Sequence, residues 1–399
     1  MKLLLCVFSF VCSACMNGAK PSVHEEKDVV TSESKDSMST VVAKDLGPWT
    51  IDLNKSYPKV DEVVLQDMTE VDYIPIETND SMLWRGRDIV YLQKDLLIAA
   101  NDYSGIMVYD GQGKALHSFN RKGNGPGEWT GADRVCYDRK ADDLFILDML
   151  AHRILVYSLK GDFKRSFHLP YAGAHYVNEM VDFGPDELLA YAADNEFVRL
   201  SKKDGKVLEA KDFRRNKGNL SLMIEWEDDF KATVATPPFM PSADGGYLAA
   251  AFTLDTLYRI TPENTWVAVG TRTPKVVQTD PMEFVRPLFD TPHYCFVTGI
   301  KRMWDRKADT GFPITAYRID KTNHQIHEFE KIADANYEGS DIHIDFCSGS
   351  DGNVWMAAYG AEALMKALEK GRLKGKLKEI AAKLHPEDNP VVVVVRSFR

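Results

Sequence analysis

A strand–turn–strand unit recurs along this chain, and that repeat restricts the fold more than any other feature of the sequence. Residues 106–119 form an apolar strand, a glycine turn at Gly113 and a second strand that ends at Phe119. The same pattern returns 48 residues later, with Gly161 in the turn and Phe167 at the end. A fixed period of this length indicates one supersecondary unit used several times.

Further copies follow towards the C-terminus. Their turns contain Gly205, Asn264 and Asn323, and a sixth pair of short apolar strands is predicted at 342–346 and 353–357. Units of 44 to 59 residues with four strands each are typical of propeller blades, which bury both sheet faces by packing radially. Because no seventh copy is found, the sequence predicts an all-β, six-bladed β-propeller over residues 49–399.

The two ends of this propeller are predicted to share one blade. Residues 391–395 are five consecutive valines, as expected of a strand that is buried on both faces. Residues 71–76 read as an early strand, and Pro75 within it fits an outer edge because proline cannot donate to a strand ladder. We expect this early strand to join the last blade and close the ring.

The β pattern is interrupted from Ala361 to Leu384, where apolar residues recur at helical spacing. Gly371 separates two predicted short helices, and Pro386 is expected to end the second. This helical insertion (361–384) lies within the last blade, and its exposed face is basic: Lys366, Lys370, Arg372, Lys374, Lys376, Lys378 and Lys383. Such a face can contact a membrane or a partner; the alternative is a solvated surface on helices that cap the propeller.

The N-terminus has the organisation of a targeting segment, with Lys2 followed by an apolar stretch. Small residues before Cys15 resemble a bacterial lipobox, which implies a signal peptide over residues 1–14 and an acylated Cys15, although Cys12 stands where leucine is usual. The alternatives are a plain secretory signal and a redox pair formed by the two cysteines.

Residues 15–48 are predicted to be a disordered tether, because they are rich in charged and hydroxyl residues and contain no aromatic residue. The acidic run 24–28 within them resembles signals that send lipoproteins to the outer surface. The alternative is an ordinary solvated charge run.

Composition and motifs exclude several functions. With 49 Lys+Arg against 59 Asp+Glu, the net charge of −10 argues against a nucleic-acid partner, which requires a basic surface. None of the ten histidines lies in a His-Glu-x-x-His motif, and no Gly-x-Ser-x-Gly motif occurs. No cofactor or metal is therefore expected. The alternative is a metal site formed by His324 and His327. A monomer is expected.

Three cysteines lie outside the N-terminal segment: Cys136, Cys295 and Cys347. All three fall on or beside predicted inner strands, so we expect them to behave as small buried hydrophobic residues. A disulfide between Cys295 and Cys347 is the one pairing considered.

Several segments resemble one known family. Residues 133–167 are similar to an NHL-type repeat, and residues 121–129 resemble the Gly-x-Gly-Pro-Gly-Glu-aromatic loop of six-bladed propeller lipoproteins from anaerobic gut bacteria, related to NHL and TolB-like propellers. The segments 72–78 and 387–391 are also similar to that family. The resemblance implies the fold and an envelope location, and it implies no catalytic residue because the family has no agreed activity.

The loop of this family contains Gly123, Gly125, Pro126, Gly127, Glu128 and Trp129. It is predicted to be an inter-blade turn in which the glycines provide positive φ and Pro126 fixes the bend. A phosphate-binding loop is the alternative, but that would need Gly-Lys-Ser/Thr before a helix.

Propeller enzymes collect their ligands from the inner strands around the channel. The candidates here are Arg87, Asp88, Asp133, Arg134, His175, His293, Asp341, His343 and Asp345; the alternative is a set of ordinary channel polar groups bridged by water. We predict an outer-membrane lipoprotein of a Gram-negative-type cell envelope, held by its lipid anchor, that binds an unknown protein or small-molecule ligand without catalysis. The alternative is a propeller enzyme, either a metal-dependent lactonase or hydrolase or a lyase, with its site in the channel.

Overall fold

The computed structural model describes residues 46–398 except 85–88, 102–103, 171–176, 193–195, 214–222, 227–230, 234–236, 250, 252–253, 306, 308–310 and 347–353. The predicted signal peptide, Cys15 and most of the predicted tether therefore lie outside the described residues. Within the described part, six sheets of four or five strands form the blades of a β-propeller, and only two short α-helices are present. The predicted fold class is confirmed.

The first half of the chain supplies three single strands and three complete blades. The single strands are β1 (Trp49–Asp52), β2 (Lys59–Val64) and β3 (Thr69–Pro75). Blade 1 contains β4 (Ile89–Gln93), β5 (Leu96–Asn101), β6 (Gly105–Asp110) and β7 (Ala115–Phe119); blade 2 contains β8 (Arg134–Asp138), β9 (Asp143–Asp148), β10 (Arg153–Tyr157) and β11 (Phe163–His168); blade 3 contains β12 (Val177–Asp182), β13 (Glu187–Ala192), β14 (Glu196–Ser201) and β15 (Val207–Asp212).

The second half begins with a hairpin, β16 (Met223–Glu225) and β17 (Lys231–Thr233). Blade 4 contains β18 (Phe239–Pro241), β19 (Tyr247–Ala249), β20 (Thr256–Ile260) and β21 (Trp266–Thr273); blade 5 contains β22 (Glu283–Asp290), β23 (Tyr294–Lys301), β24 (Ile314–Asp320) and β25 (Ile326–Ala333); blade 6 contains β26 (Asp345–Phe346), β27 (Val354–Tyr359), β28 (Val391–Ser397) and, from the N-terminus, β3. The helical insertion consists of α1 (Ala361–Glu369) and α2 (Gly375–Ala381).

The repeated turn explains how neighbouring blades contact each other. Gly113, Gly161 and Gly205 have φ of 84°, 87° and 70°, a backbone region that favours glycine. A Cβ atom on Gly161 would lie 2.7 Å from Cγ of Phe119, at the end of the preceding blade's outer strand. The predicted turn residue Asn264 also has positive φ, but in the fifth copy His324 takes this conformation instead of the predicted Asn323.

Residues 49–75 form an N-terminal belt around the outside of three consecutive blades. Strand β1 adds in parallel to β21 of blade 4, and β2 adds in parallel to β25 of blade 5, so that both blades have five strands. The third strand of the belt, β3, is the outer strand of blade 6. Sequence analysis did not assign residues 49–64 to any blade, because a single added strand carries no repeat.

Ring closure follows the prediction. Strand β28 pairs antiparallel with β3, with Val391 opposite Pro75 and Val395 opposite Val71. All five valines are fully buried, and alternate ones contribute to two different core clusters, one on each face of the sheet. Strand β3 is the edge strand, as the proline indicated.

The helical insertion lies between β27 and β28, as predicted, and Gly371 separates its two helices with φ of 69°. Leu364 of α1 and Leu377 of α2 are fully buried in the core cluster of blades 4 to 6. The prediction that Pro386 ends the second helix is wrong: α2 ends at Ala381, and the chain continues through turns.

Candidate functional site

The glycine-rich loop joins blades 1 and 2 and is anchored by aromatic packing. Trp129 is buried, and its ring lies edge-on to that of Tyr157 with 5.5 Å between centroids. The Tyr157 hydroxyl donates to the Gly127 carbonyl. The Gly125 amide donates to Oε2 of Glu128 at 2.8 Å, so the carboxylate is occupied inside the loop. These contacts support the structural interpretation of the loop.

The predicted reason for the glycines is wrong. Gly123, Gly125 and Gly127 do not have positive φ. A Cβ atom on Gly123 would overlap the Glu128 carboxylate, and one on Gly127 would lie 3.2 Å from the ring of Phe163. Neighbouring side chains therefore approach the backbone closely at these glycines, a constraint that sequence spacing does not distinguish from a turn.

Asp133 and Arg134 lie where the chain enters the inner strand of blade 2. Nε of Arg134 is 2.8 Å from Oε2 of Glu179 on the inner strand of blade 3, and the Asp133 carboxylate accepts a hydrogen bond from the Met149 amide at 2.8 Å. The carboxylates of Asp133 and Glu179 thus both have partners within the protein. The Arg134–Glu179 pair joins two blades and was not predicted.

Asp341 and His343 lead into the inner strand of blade 6. Both are exposed, whereas Ile342 and Ile344 between and beside them are buried. Nε2 of His343 is 3.3 Å from Oδ1 of Asp345. This alternation leaves the His343 imidazole and the Asp341 carboxylate exposed where the chain enters blade 6, and the half-buried Asp345 lies beside the imidazole.

The remaining candidates do not join these groups. His293 is exposed in the turn between β22 and β23, at the opposite end of the blade, and its carbonyl accepts from the Lys321 amide at 2.8 Å. Arg87, Asp88 and His175 lie outside the described residues. Across the described part of the chain, His, Cys, Asp and Glu side chains form no group of three or more that could hold a metal ion. His324 and His327 both lie in this described part and belong to no such group.

Two residues that sequence analysis missed lie on inner strands and contact other blades. Arg286, on the inner strand of blade 5, is 2% exposed, and its Nη2 donates to the Pro237 carbonyl before blade 4. Burial lowers the pKa of Arg286 to about 10, which leaves it charged at neutral pH. Phe346 of blade 6 packs against the core of blades 3 and 4 as well as the core of blades 4 to 6. Arg286 and Phe346 thus each contact another blade.

A cavity of 420 Å³ opens at the outer rim, where blade 6 meets blade 1 beneath α2. We call it the rim cleft, and its lining is Pro75, Ile76, Glu77, Thr78, Gln112, Gly113, Lys114, Ile380, Lys383, Leu384 and Asp388. The cleft was not predicted, because its residues come from three distant parts of the chain.

A buried hydrogen-bond network is centred on Asp334, which directly follows β25 of blade 5. The Asp334 carboxylate accepts from the hydroxyls of Tyr73 at 2.7 Å and Tyr359 at 3.1 Å, and from Nε2 of Gln66 at 2.6 Å. Burial, reinforced by the nearby Asp334 carboxylate, raises the pKa of both tyrosines, so they remain hydrogen-bond donors. The network ties the N-terminal belt, blade 5 and blade 6 together.

The lysines of the predicted basic face are exposed, but Arg372 is half-buried, with its guanidinium carbon 5.6 Å from the ring centroid of Tyr337. Lys366 pairs with Glu362 at 2.6 Å, and Lys376 pairs with Asp72 of β3 at 2.5 Å. The side chains of the remaining lysines make no ion pair or hydrogen bond with the described residues: Lys370, Lys374, Lys378 and Lys383.

Buried lysines join adjacent blades elsewhere in the ring. Nζ of Lys202 lies 2.5 Å from Asp138 of blade 2 and 2.6 Å from Asp182 of blade 3. At the equivalent turn of blade 5, Lys321 lies 2.8 Å from Asp290 and 3.0 Å from Asp244, beside a cavity of 210 Å³.

The prediction that the cysteines are small buried residues is confirmed for the two that lie among the described residues. Cys136 and Cys295 are buried free thiols within core clusters, and burial raises the pKa of each. Cys347 lies outside the described residues. Among the described residues, no helix is long and apolar enough to cross a membrane.

The geometry defines a six-bladed β-propeller closed by its own N-terminal strand, with an outer cleft under a helical insertion. The chain belongs to the family described as "Domain of unknown function (DUF4934)", which matches residues 48–396. The predicted membership of a propeller family without an agreed activity is therefore confirmed at this level. No curated protein matches the sequence.

One solved structure supports the fold, and two others are less similar. A Bacteroides fragilis protein predicted to be exported has a TM-score of 0.62 at 15% identity, over 88% of this chain and 100% of that one. A DUF4221 member from Bacteroides vulgatus has a TM-score of 0.48 at 9% identity, over 84% and 100%. Virginiamycin B lyase from Staphylococcus aureus has a TM-score of 0.37 at 11% identity, over 83% and 100%. The last two similarities are too low to carry an argument.

Proposed function

We propose that the protein is a binding platform of the cell envelope, anchored by an acyl group on Cys15, and that the helical insertion presents its binding surface. The envelope location is supported by the apolar leader before Cys15 and by the fold shared with a Bacteroides fragilis protein predicted to be exported. The ring provides rigidity, since closed propellers position loops and insertions on a fixed scaffold.

One observation carries the choice of the insertion. In a chain with net charge −10, four lysines on one short insertion have no ionic partner among the described residues: Lys370, Lys374, Lys378 and Lys383. Clustered cations repel one another, so a structural cap would not need them. Complementary charge across an interface accelerates association and selects the partner. The platform is therefore suited to an anionic partner or ligand.

Site-specific photo-crosslinking in intact cells tests the proposal. A photoreactive amino acid replaces Lys370 on the insertion, and in a matched control it replaces Lys203, an exposed lysine in a turn of blade 3, across the ring from blade 6. Crosslinks from position 370 and none from 203 would support the platform. Absence of crosslinks from 370, or equal crosslinking from both, would contradict it. A stoichiometric divalent ion in the purified protein would instead favour the propeller enzyme.

A further inference from the structure

We propose that the rim cleft binds a single-chain amphiphile with an anionic headgroup, such as a long-chain carboxylate. This inference rests on the proposed binding function and names the ligand chemistry for one part of the same surface. The apolar chain would lie against Ile76, Ile380 and Leu384, and the headgroup would lie between Lys114 and Lys383 at the rim.

The cleft differs from two other junctions between neighbouring blades. Between blades 1 and 2, the turn glycine Gly161 packs against the ring of Phe119, and between blades 2 and 3, Gly205 packs against the ring of Phe167. An aromatic side chain thus fills the equivalent space at both junctions.

At the junction of blades 6 and 1, the equivalent glycine, Gly113, contacts the Pro75 carbonyl and Cγ2 of Ile74 instead. No aromatic residue from the end of β3 occupies the space beyond it. Helix α2 covers the position, and a cavity of 420 Å³ remains. Small-molecule sites in proteins typically have about 300–1,000 Å³, so this volume is sufficient for a ligand.

The polar groups around the cleft select an anion. Of the two carboxylates, Glu77 accepts from the Ala115 amide at 2.9 Å and Asp388 accepts from the His385 amide at 2.7 Å. Both are thereby used within the protein. Lys114 and Lys383 are exposed, and their ammonium groups have no partner among the described residues. Lys114 and Lys383 are thus the charged groups of the cleft that have no partner, and an ammonium–carboxylate hydrogen bond is among the stronger ones in proteins.

Calorimetric titration with dodecanoate, below its micellar concentration, tests the proposal on the full mature chain. Dodecyltrimethylammonium serves as a matched ligand, because it has the same chain length and the opposite charge. We expect saturable binding of dodecanoate at one site and binding of the cation at least about tenfold weaker, which corresponds to ~1.4 kcal/mol.

Two variants locate the site. The double substitution Lys114→Gln and Lys383→Gln changes only exposed ends and is expected to weaken dodecanoate binding about tenfold or more. Leu384→Trp fills the cleft and should abolish binding without removing the lysines. The control Lys203→Gln removes one charge from an exposed turn of blade 3, outside the cleft and the insertion, and binding should be unchanged.

Several results would overturn the proposal: no binding of dodecanoate, equal binding of the two amphiphiles, or equal affinity in the double variant and the Lys203→Gln control. A further contrary result is loss of binding to anionic phosphatidylglycerol vesicles in the double variant while dodecanoate binding stays intact, because the lysines would then recognise a membrane surface. Crosslinks from position 370 that persist in any of these cases would leave the binding platform standing and reject only the amphiphile.

Discussion

Removing residues 388–399 should prevent the ring from closing. The deletion removes β28, which pairs with β3 over seven residues and with β27 on its other side. All five of its valines are 0% exposed, and full burial of one such side chain contributes about 1.5–3 kcal/mol. The strand thus supplies roughly 8–15 kcal/mol of apolar burial, as much as the whole free energy of unfolding of a typical domain, ~5–15 kcal/mol. We expect the truncated protein to aggregate or to be degraded.

The assay compares the soluble yield and the calorimetric melting transition of three proteins: the full chain, the 388–399 deletion and a control that lacks residues 16–45, outside the described part. The control should melt as the full chain does. A milder variant, Val393→Ala, should remain soluble and lower the free energy of unfolding by about 2 kcal/mol. A soluble 388–399 deletion with a single cooperative transition would refute the argument that β28 closes the ring.

Three further predictions concern other parts of the molecule. Cys15→Ala should move the protein from the membrane to the soluble fraction, and persistence of the variant in the membrane fraction would reject the lipid anchor. Asp138→Asn should lower the urea midpoint of unfolding more than Asp182→Asn. Burial alone would raise the pKa of Asp138 in the folded protein, but the hydrogen bond from Lys202 lowers it below the usual value. The stabilisation from Asp138 is therefore present above its unfolded pKa and is lost as the pH falls through its folded pKa. Burial raises the pKa of Asp182, so the ionised form of Asp182 is less favoured in the folded protein. Equal midpoints would contradict that assignment. Gly270→Ala should destabilise the protein by ~1–3 kcal/mol, because its Cβ would overlap the ring of Trp49; an unchanged melting temperature would show that β1 is not packed as described.

Much of the candidate site depends on contacts between distant residues, which no local sequence pattern predicts. Arg286 interrupts the apolar stretch from Phe284 to Phe289, and this was the available signal that a charge had to find a partner in the interior. The loop at 123–129 was recognised from its residues, but the reason for its glycines became clear only from the positions of Glu128 and Phe163. Candidates chosen by strand position, such as Asp133 and His293, lie at opposite ends of their blades.

The amino-acid sequence alone was sufficient to predict the all-β class, six blades, closure through the valine strand and a helical insertion in the last blade. These features follow from short-range signals: alternation of apolar residues, turn glycines at a fixed period and helical spacing in one segment. Only the tertiary structure decided where residues 49–64 add to blades 4 and 5, how Asp334 joins three elements, and where the rim cleft opens. Those features depend on which distant segments become neighbours when the ring closes, and such pairings leave no periodic trace in the chain.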